Sequence, residues 1–122
     1  VIGLVAVLAV ALGISSQSGA WVSVGNRSSE TIAVSAVRLQ GGERVLSQHQ
    51  LKPGDVRVLP LFGGERDAPH NALGIRAEDP AGSARPATLV LTRGQVAALD
   101  EGRAEVRVWK RGRAFIVVFN WR

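Results

Sequence analysis

The sequence predicts an all-β domain of about seven or eight strands with one short helix, preceded by a single transmembrane helix. Three observations carry this expectation. Residues 1–14, VIGLVAVLAVALGI, hold no charge and no strongly polar group. From Trp21 onward that solid apolar run gives way to short alternating runs separated by turn residues, the pattern of a sandwich or barrel. Residues 21–122 then leave about a hundred residues, the size of a small β-sandwich. The domain boundary is therefore expected between residues 20 and 21.

The first segment reads as a membrane anchor. Its nine Val, Ile and Leu residues favour insertion by roughly 3–5 kcal/mol. A helix over these 14 residues is about 21 Å long, short of a hydrocarbon core of about 30 Å. Ser15 to Ala20 are small and uncharged, and including them brings the span to about 30 Å. Val1, Ile2, Leu4, Val5, Leu8, Leu12 and Ile14 would face lipid, and Trp21 falls where an interfacial aromatic sits. No initiator Met or basic stretch precedes Val1, so upstream residues are expected to complete the span. The rival is a secretory signal cleaved after Ser18-Gly19-Ala20, which has small residues at both key positions. We expect the retained anchor, in a bacterial inner membrane, with the β-domain on the periplasmic side.

Along the domain, residues 21–26 read as a first strand and NRSSE as its turn. Residues 31–39 form a second strand with Ile32, Val34 and Ala36 on one face. Gly41-Gly42 suits a tight hairpin into a third strand over 43–51. Lys52-Pro53-Gly54-Asp55 reads as a type II turn. In the fourth strand, 56–62, Pro60 lacks an N–H and argues for an edge position or a bulge. GGERDAPH, 63–70, is a loop; 72–78 is a fifth strand and 87–91 a sixth. Thr92-Arg93-Gly94-Gln95 has capping-box spacing and can start a two-turn helix that Gly102 stops. Residues 104–109 and 113–121 make a final hairpin across Arg111-Gly112.

A strand ending LVL, a short helical crossing, and then DEGRAEV over 100–106 resembles the passage between strands E and F of immunoglobulin-like domains. The hallmark Tyr would align with Ala104 and the second Cys with Val106, and neither is present. NRSSETIAV followed by Leu51, Pro53 and Gly54 is also similar to small bacterial β-sandwich modules. The resemblance implies an immunoglobulin-like antiparallel sandwich and no activity.

The net charge of +5 comes from 13 Arg and 2 Lys against 10 acidic residues. Its excess sits in the last twenty residues, where Arg103, Arg107, Lys110, Arg111, Arg113 and Arg122 face Glu105 alone. Such an end can meet anionic lipid head groups, nucleic acid or an acidic protein face. A loop at Arg111-Gly112 would pair Val108 with Phe115, Val106 with Val117 and Ala104 with Phe119, with Trp121 on the same side. Trp109, Arg107 and Glu105 then share the opposite face with Ala114, Ile116 and Val118. An aromatic and two aliphatics rimmed by arginines suit a protein interface. The expected docking residues are Trp109, Ile116, Val118, Arg107, Arg111 and Arg113.

No constellation for chemistry stands out, and no enzyme or cofactor is expected. The absence of Cys excludes a disulfide framework, a thiol nucleophile and a thiolate metal site. His49 and His70 have no ligand-spaced companions. Ser28-Ser29 lacks a nucleophile elbow, and GGER lacks the Lys-Ser/Thr of a phosphate loop. Glu78-Asp79 and Asp100-Glu101 are adjacent and would point to opposite faces in a strand. Glu65, Asp67 and Asp79 are sparse for a calcium loop. Nucleic acid is not an expected partner, because only Trp109 is placed to stack on a base. These features lead us to expect a structural accessory subunit, docked on a larger respiratory, photosynthetic or secretion complex through its helix and last hairpin. The alternative is an exported binding module, with residues 1–20 as its signal and loops 63–70 and 79–86 as its ligand site.

Overall fold

The computed structural model describes residues 21–39, 41–60 and 73–122. The expected anchor over 1–20 and the loop over 63–70, with His70, Glu65 and Asp67, lie outside them. The described residues form β1 (Trp21–Asn26), β2 (Ile32–Arg38), β3 (Arg44–Leu51), β4 (Val56–Pro60), β5 (Leu73–Glu78), β6 (Ala87–Leu91), α1 (Arg93–Asp100), β7 (Ala104–Arg111) and β8 (Ala114–Trp121). Two four-stranded sheets result, one in the order β4-β1-β7-β8 and the other β3-β2-β5-β6. The described residues are all-β with one helix, as their alternating runs predict. Among these described residues no helix is long and apolar enough to cross a membrane.

Each strand begins or ends where the sequence places turn chemistry. The Asp55 N–H donates to the Lys52 carbonyl at 2.9 Å, closing the expected turn between β3 and β4. β4 lies at a sheet edge, where the missing N–H of Pro60 removes no hydrogen bond from a central ladder. α1 carries the full capping box. The Gln95 N–H donates to Thr92 Oγ1 at 3.1 Å and the Thr92 N–H to Gln95 Oε1 at 2.9 Å. Its other end closes in a Schellman arrangement, with the Arg103 N–H on the Ala98 carbonyl and the Gly102 N–H on that of Leu99.

The inner faces of both sheets meet in one core. Val22, Val24, Leu59, Ala104, Val106, Val108 and Phe115 come from the first sheet. Ile32, Val34, Ala36, Leu51, Ile75, Ala77 and Leu91 come from the second. α1 carries the chain from β6 in one sheet to β7 in the other and adds Ala98 and Leu99 to the core. β2 is buried on both faces, since Ala33, Ser35 and Val37 are covered as well as Ile32, Val34 and Ala36. The residues paired beside them include Gln50, Gln48, Arg76 and Glu78, long side chains flanking small ones.

Strand direction gives the sandwich two distinct ends. Trp21, Arg38, Pro60, Leu73 and Trp121 lie at the end where β1 starts. Asn26, Leu51, Val56, Glu78 and Arg111 lie at the far end. Asn26 ties the far end together. Its Nδ2 donates to the carbonyls of Glu30 and Leu51, each at 2.8 Å. Its Oδ1 accepts from the Ser28 N–H and hydroxyl. Its own backbone exchanges hydrogen bonds with Gly54 and Asp55. One buried side chain thereby joins the β1–β2 turn to the end of β3.

Candidate functional site

The final hairpin has a register different from the one its sequence suggests. Arg111 pairs with Ala114, and Gly112-Arg113 form the two-residue turn. The pairs are therefore Val108 with Val117, Val106 with Phe119 and Ala104 with Trp121. The reason lies in the turn. Gly112, at φ +62°, takes the first central position, the place a type II′ turn reserves for glycine. A loop at Arg111-Gly112 would have put Arg111 there. The correction moves the pairing by two residues, so no side chain changes face. Trp109 stands opposite Ile116, and Arg107 opposite Val118, on the outer face of the first sheet.

Trp109, Ile116, Val118 and Arg107 thus lie together in one block, as their alternation implies. The block extends across the sheet. Gly25 neighbours Arg107 on one side and Val56 on the other, and Ser23 neighbours Val58. Val56 and Val58, 62% and 51% exposed, lie at the opposite edge of this face from Ile116, which is 40% exposed. The sequence reading missed these two valines. Their signal was present in Val-Arg-Val, but nothing local says that the Val side of an edge strand faces water.

The basic excess divides into groups with different surroundings. Arg107 Nε donates to Glu105 Oε2 at 2.8 Å, and Arg122 Nε to Oε1 of the same carboxylate at 3.1 Å. The hydrogen bond from Arg107 is the largest of several effects that hold the Glu105 carboxyl below its usual value. Arg103 Nε donates to Glu101 at 2.7 Å. Lys110 turns to the inner face, opposite Phe115, with a side chain only 6% exposed. Its Nζ contacts Glu30 at 3.0 Å and Asp79 at 3.1 Å, joining two far-end loops to β7. Ser83 Oγ, the Ala81 N–H and Lys110 Nζ all donate to Asp79, and together they lower its pKa to about 2. The hydrogen bonds of Lys110 to Glu30 and then to Asp79 hold its ammonium above its usual value. Sequence parity could have found this, since Lys110 alternates in step with Val106 and Val108. Arg111 and Arg113 are exposed at the hairpin tip, and no described residue pairs with either side chain.

The remaining sequence candidates are dispersed. Arg57 Nη1 lies 3.2 Å from His49 Nδ1 across the edge where β3 approaches β4. Asp79 is committed to its loop and Lys110. Asp100 sits at the end of α1 and accepts from the Trp21 N–H at 3.0 Å. Among the described residues, no group of three or more His, Asp or Glu could hold a metal ion. No protein-family model matches the chain, and neither a curated protein nor a solved structure matches it.

Proposed function

We propose that this chain is a non-catalytic accessory subunit that docks on a larger membrane protein complex through the outer face of its first sheet. The observation that carries the reading is the apolar side chains on that face, Val56 and Val58 at the β4 edge and Trp109, Ile116 and Val118 on the last hairpin, with Ser23, Gly25 and Arg107 between the two groups. A sheet face that exposes aliphatic side chains beside the Arg107–Glu105 pair has the make-up of an interface core with a polar rim. The apolar stretch over residues 1–14 supports a place in a bacterial inner membrane, with the sandwich on its periplasmic side. The passage from β6 through α1 into the opposite sheet supports reading the sandwich as immunoglobulin-like. The unsatisfied arginines at the tip suit an acidic margin on the partner.

The test is co-purification of the full chain from its native membranes in mild detergent. The double substitution Ile116→Asp with Val118→Asp should release the chain from the large assembly while its circular dichroism stays that of a β-protein. Val56→Asp with Val58→Asp, on the other side of the same face, should do likewise. Retained comigration by both folded variants would remove this face from the reading. A chain recovered in the soluble fraction and starting at Trp21 would favour an exported binding module.

A further inference from the structure

The two most exposed tryptophans of the domain sit at the same end of the sandwich, and it is the end to which residues 1–20 attach. Trp21 opens β1 and Trp121 closes β8, 37% and 63% exposed. β1 runs parallel to β7 with Val24 beside Val106. Three residues earlier, Trp21 comes level with Arg103. Ala104 pairs with Trp121, and the Arg122 N–H donates to the Arg103 carbonyl at 2.9 Å. Trp21, Arg103, Trp121 and Arg122 therefore line one rim of the first sheet.

Resting on the reading of residues 1 to about 20 as an anchor, we propose that this rim is a lipid-contacting surface seated at the bilayer interface. The chemistry of the rim fits that occupant. Indole rings with a polar N–H prefer the boundary between head groups and acyl chains. The Arg103 guanidinium lies 5.7 Å from the centroid of the Trp121 ring, pairing the aromatic with a cation. Arg103 and Arg122 each give Nε to a carboxylate, which leaves their terminal N–H groups for lipid phosphates. The Trp21 backbone N–H is held by Asp100, so the sheet is already fixed at Trp21, the residue that follows the segment read as the anchor.

Distance decides which cations take part. β7 runs from the rim to the hairpin tip over eight residues, about 25 Å. The Debye length at physiological ionic strength is about 8 Å. With Trp21 at the interface, Arg111 and Arg113 are screened from the head groups and turn toward protein, while Arg103 and Arg122 meet lipid.

The experiment uses the full chain reconstituted into vesicles of phosphatidylcholine with a minority of phosphatidylglycerol. The phosphatidylcholine is brominated near the head-group end of its acyl chains, where bromine quenches a nearby indole. Three variants keep one tryptophan each, the other two being replaced by Phe, and β-structure is verified by circular dichroism in each. The chains keeping only Trp21 or only Trp121 should lose most of their emission relative to unbrominated vesicles. The chain keeping only Trp109 should keep its emission. Chains that float with the vesicles but leave Trp121 unquenched would overturn the lipid-facing rim and leave the anchor standing. Failure to float with vesicles would overturn the anchor reading and the rim with it. Should the Trp121-only chain not fold, Arg103→Glu with Arg122→Glu in the otherwise unaltered chain supplies the second readout. It should reduce the blue shift of tryptophan emission that phosphatidylglycerol produces, and an undiminished shift would count against the rim.

Discussion

Asn26 and Ser35 are both fully buried, yet alanine should affect them in opposite directions. Asn26 meets four groups, and its removal takes the buried donor from the Leu51 carbonyl, while the Glu30 carbonyl still accepts from Ser28 Oγ. A stranded buried polar group costs about 1–3 kcal/mol, so Asn26→Ala should lose about 2–4 kcal/mol in chemical unfolding followed by tryptophan fluorescence. Ser35 Oγ has no hydrogen-bond partner among the described residues. Ser35→Ala removes that cost and should leave stability unchanged or raise it by about 1 kcal/mol. A marked loss in the Ser35 variant would show that its hydroxyl is satisfied after all. Gly74 is fixed by space instead. A Cβ there would stand 2.9 Å from the Leu89 carbonyl oxygen and 3.1 Å from Thr88 Cγ2, so β5 passes its neighbour only without a side chain.

At the scale of elements, the far-end loops are joined to β7 by the Asp79–Lys110–Glu30 cluster, and this makes stability depend on acid. The Asp79 pKa is lowered from 3.8 to about 2 by Ser83, Ala81 and Lys110. A depressed carboxyl stabilises the fold above its unfolded pKa, and that contribution disappears as pH falls through the window from 3.8 to about 2. The unfolding midpoint of the parent chain should therefore fall more steeply over that window than that of Asp79→Asn. Parallel curves would mean that the cluster contributes nothing. The same elements show what could be read in advance. The bounds of the strands and of α1 were legible because turn and cap residues act locally: Pro53-Gly54, Thr92 with Gln95, and Gly102. The faces of the last hairpin were legible too, since Val106, Val108, Phe115 and Val117 alternate. Its register was not, because Arg111-Gly112 and Gly112-Arg113 both make acceptable two-residue turns and differ only in which central position the glycine fills. The docking face was half legible for a related reason. Its β7–β8 part follows from alternation, whereas its β4 part depends on which strand borders β1, a fact carried by no residue near Val56.

For the whole molecule, the docking face and the Trp–Arg rim make separable predictions because they lie on different surfaces of one sheet. Aspartates at Ile116 and Val118 should detach the partner without altering how Trp121 responds to brominated lipid. Charge reversal at Arg103 and Arg122 should do the converse, and joint loss in both experiments would show a single coupled surface. The parallel pairing of β1 with β7 has a consequence in time. Val24 waits for Val106, about 80 residues later, and at about 5–20 residues per second of synthesis that delay is about 4–16 s. The second sheet can assemble from residues 32–91 in the meantime. Over the same interval β1 has β4 on one side and an open row of N–H and C=O groups on the other. A nascent chain halted at residue 103 should accordingly be cut by protease within β1 and β4, and one extended through residue 121 should resist. The hazard of aggregation for this chain is thus set less by its mature surface than by how promptly its last hairpin leaves the ribosome.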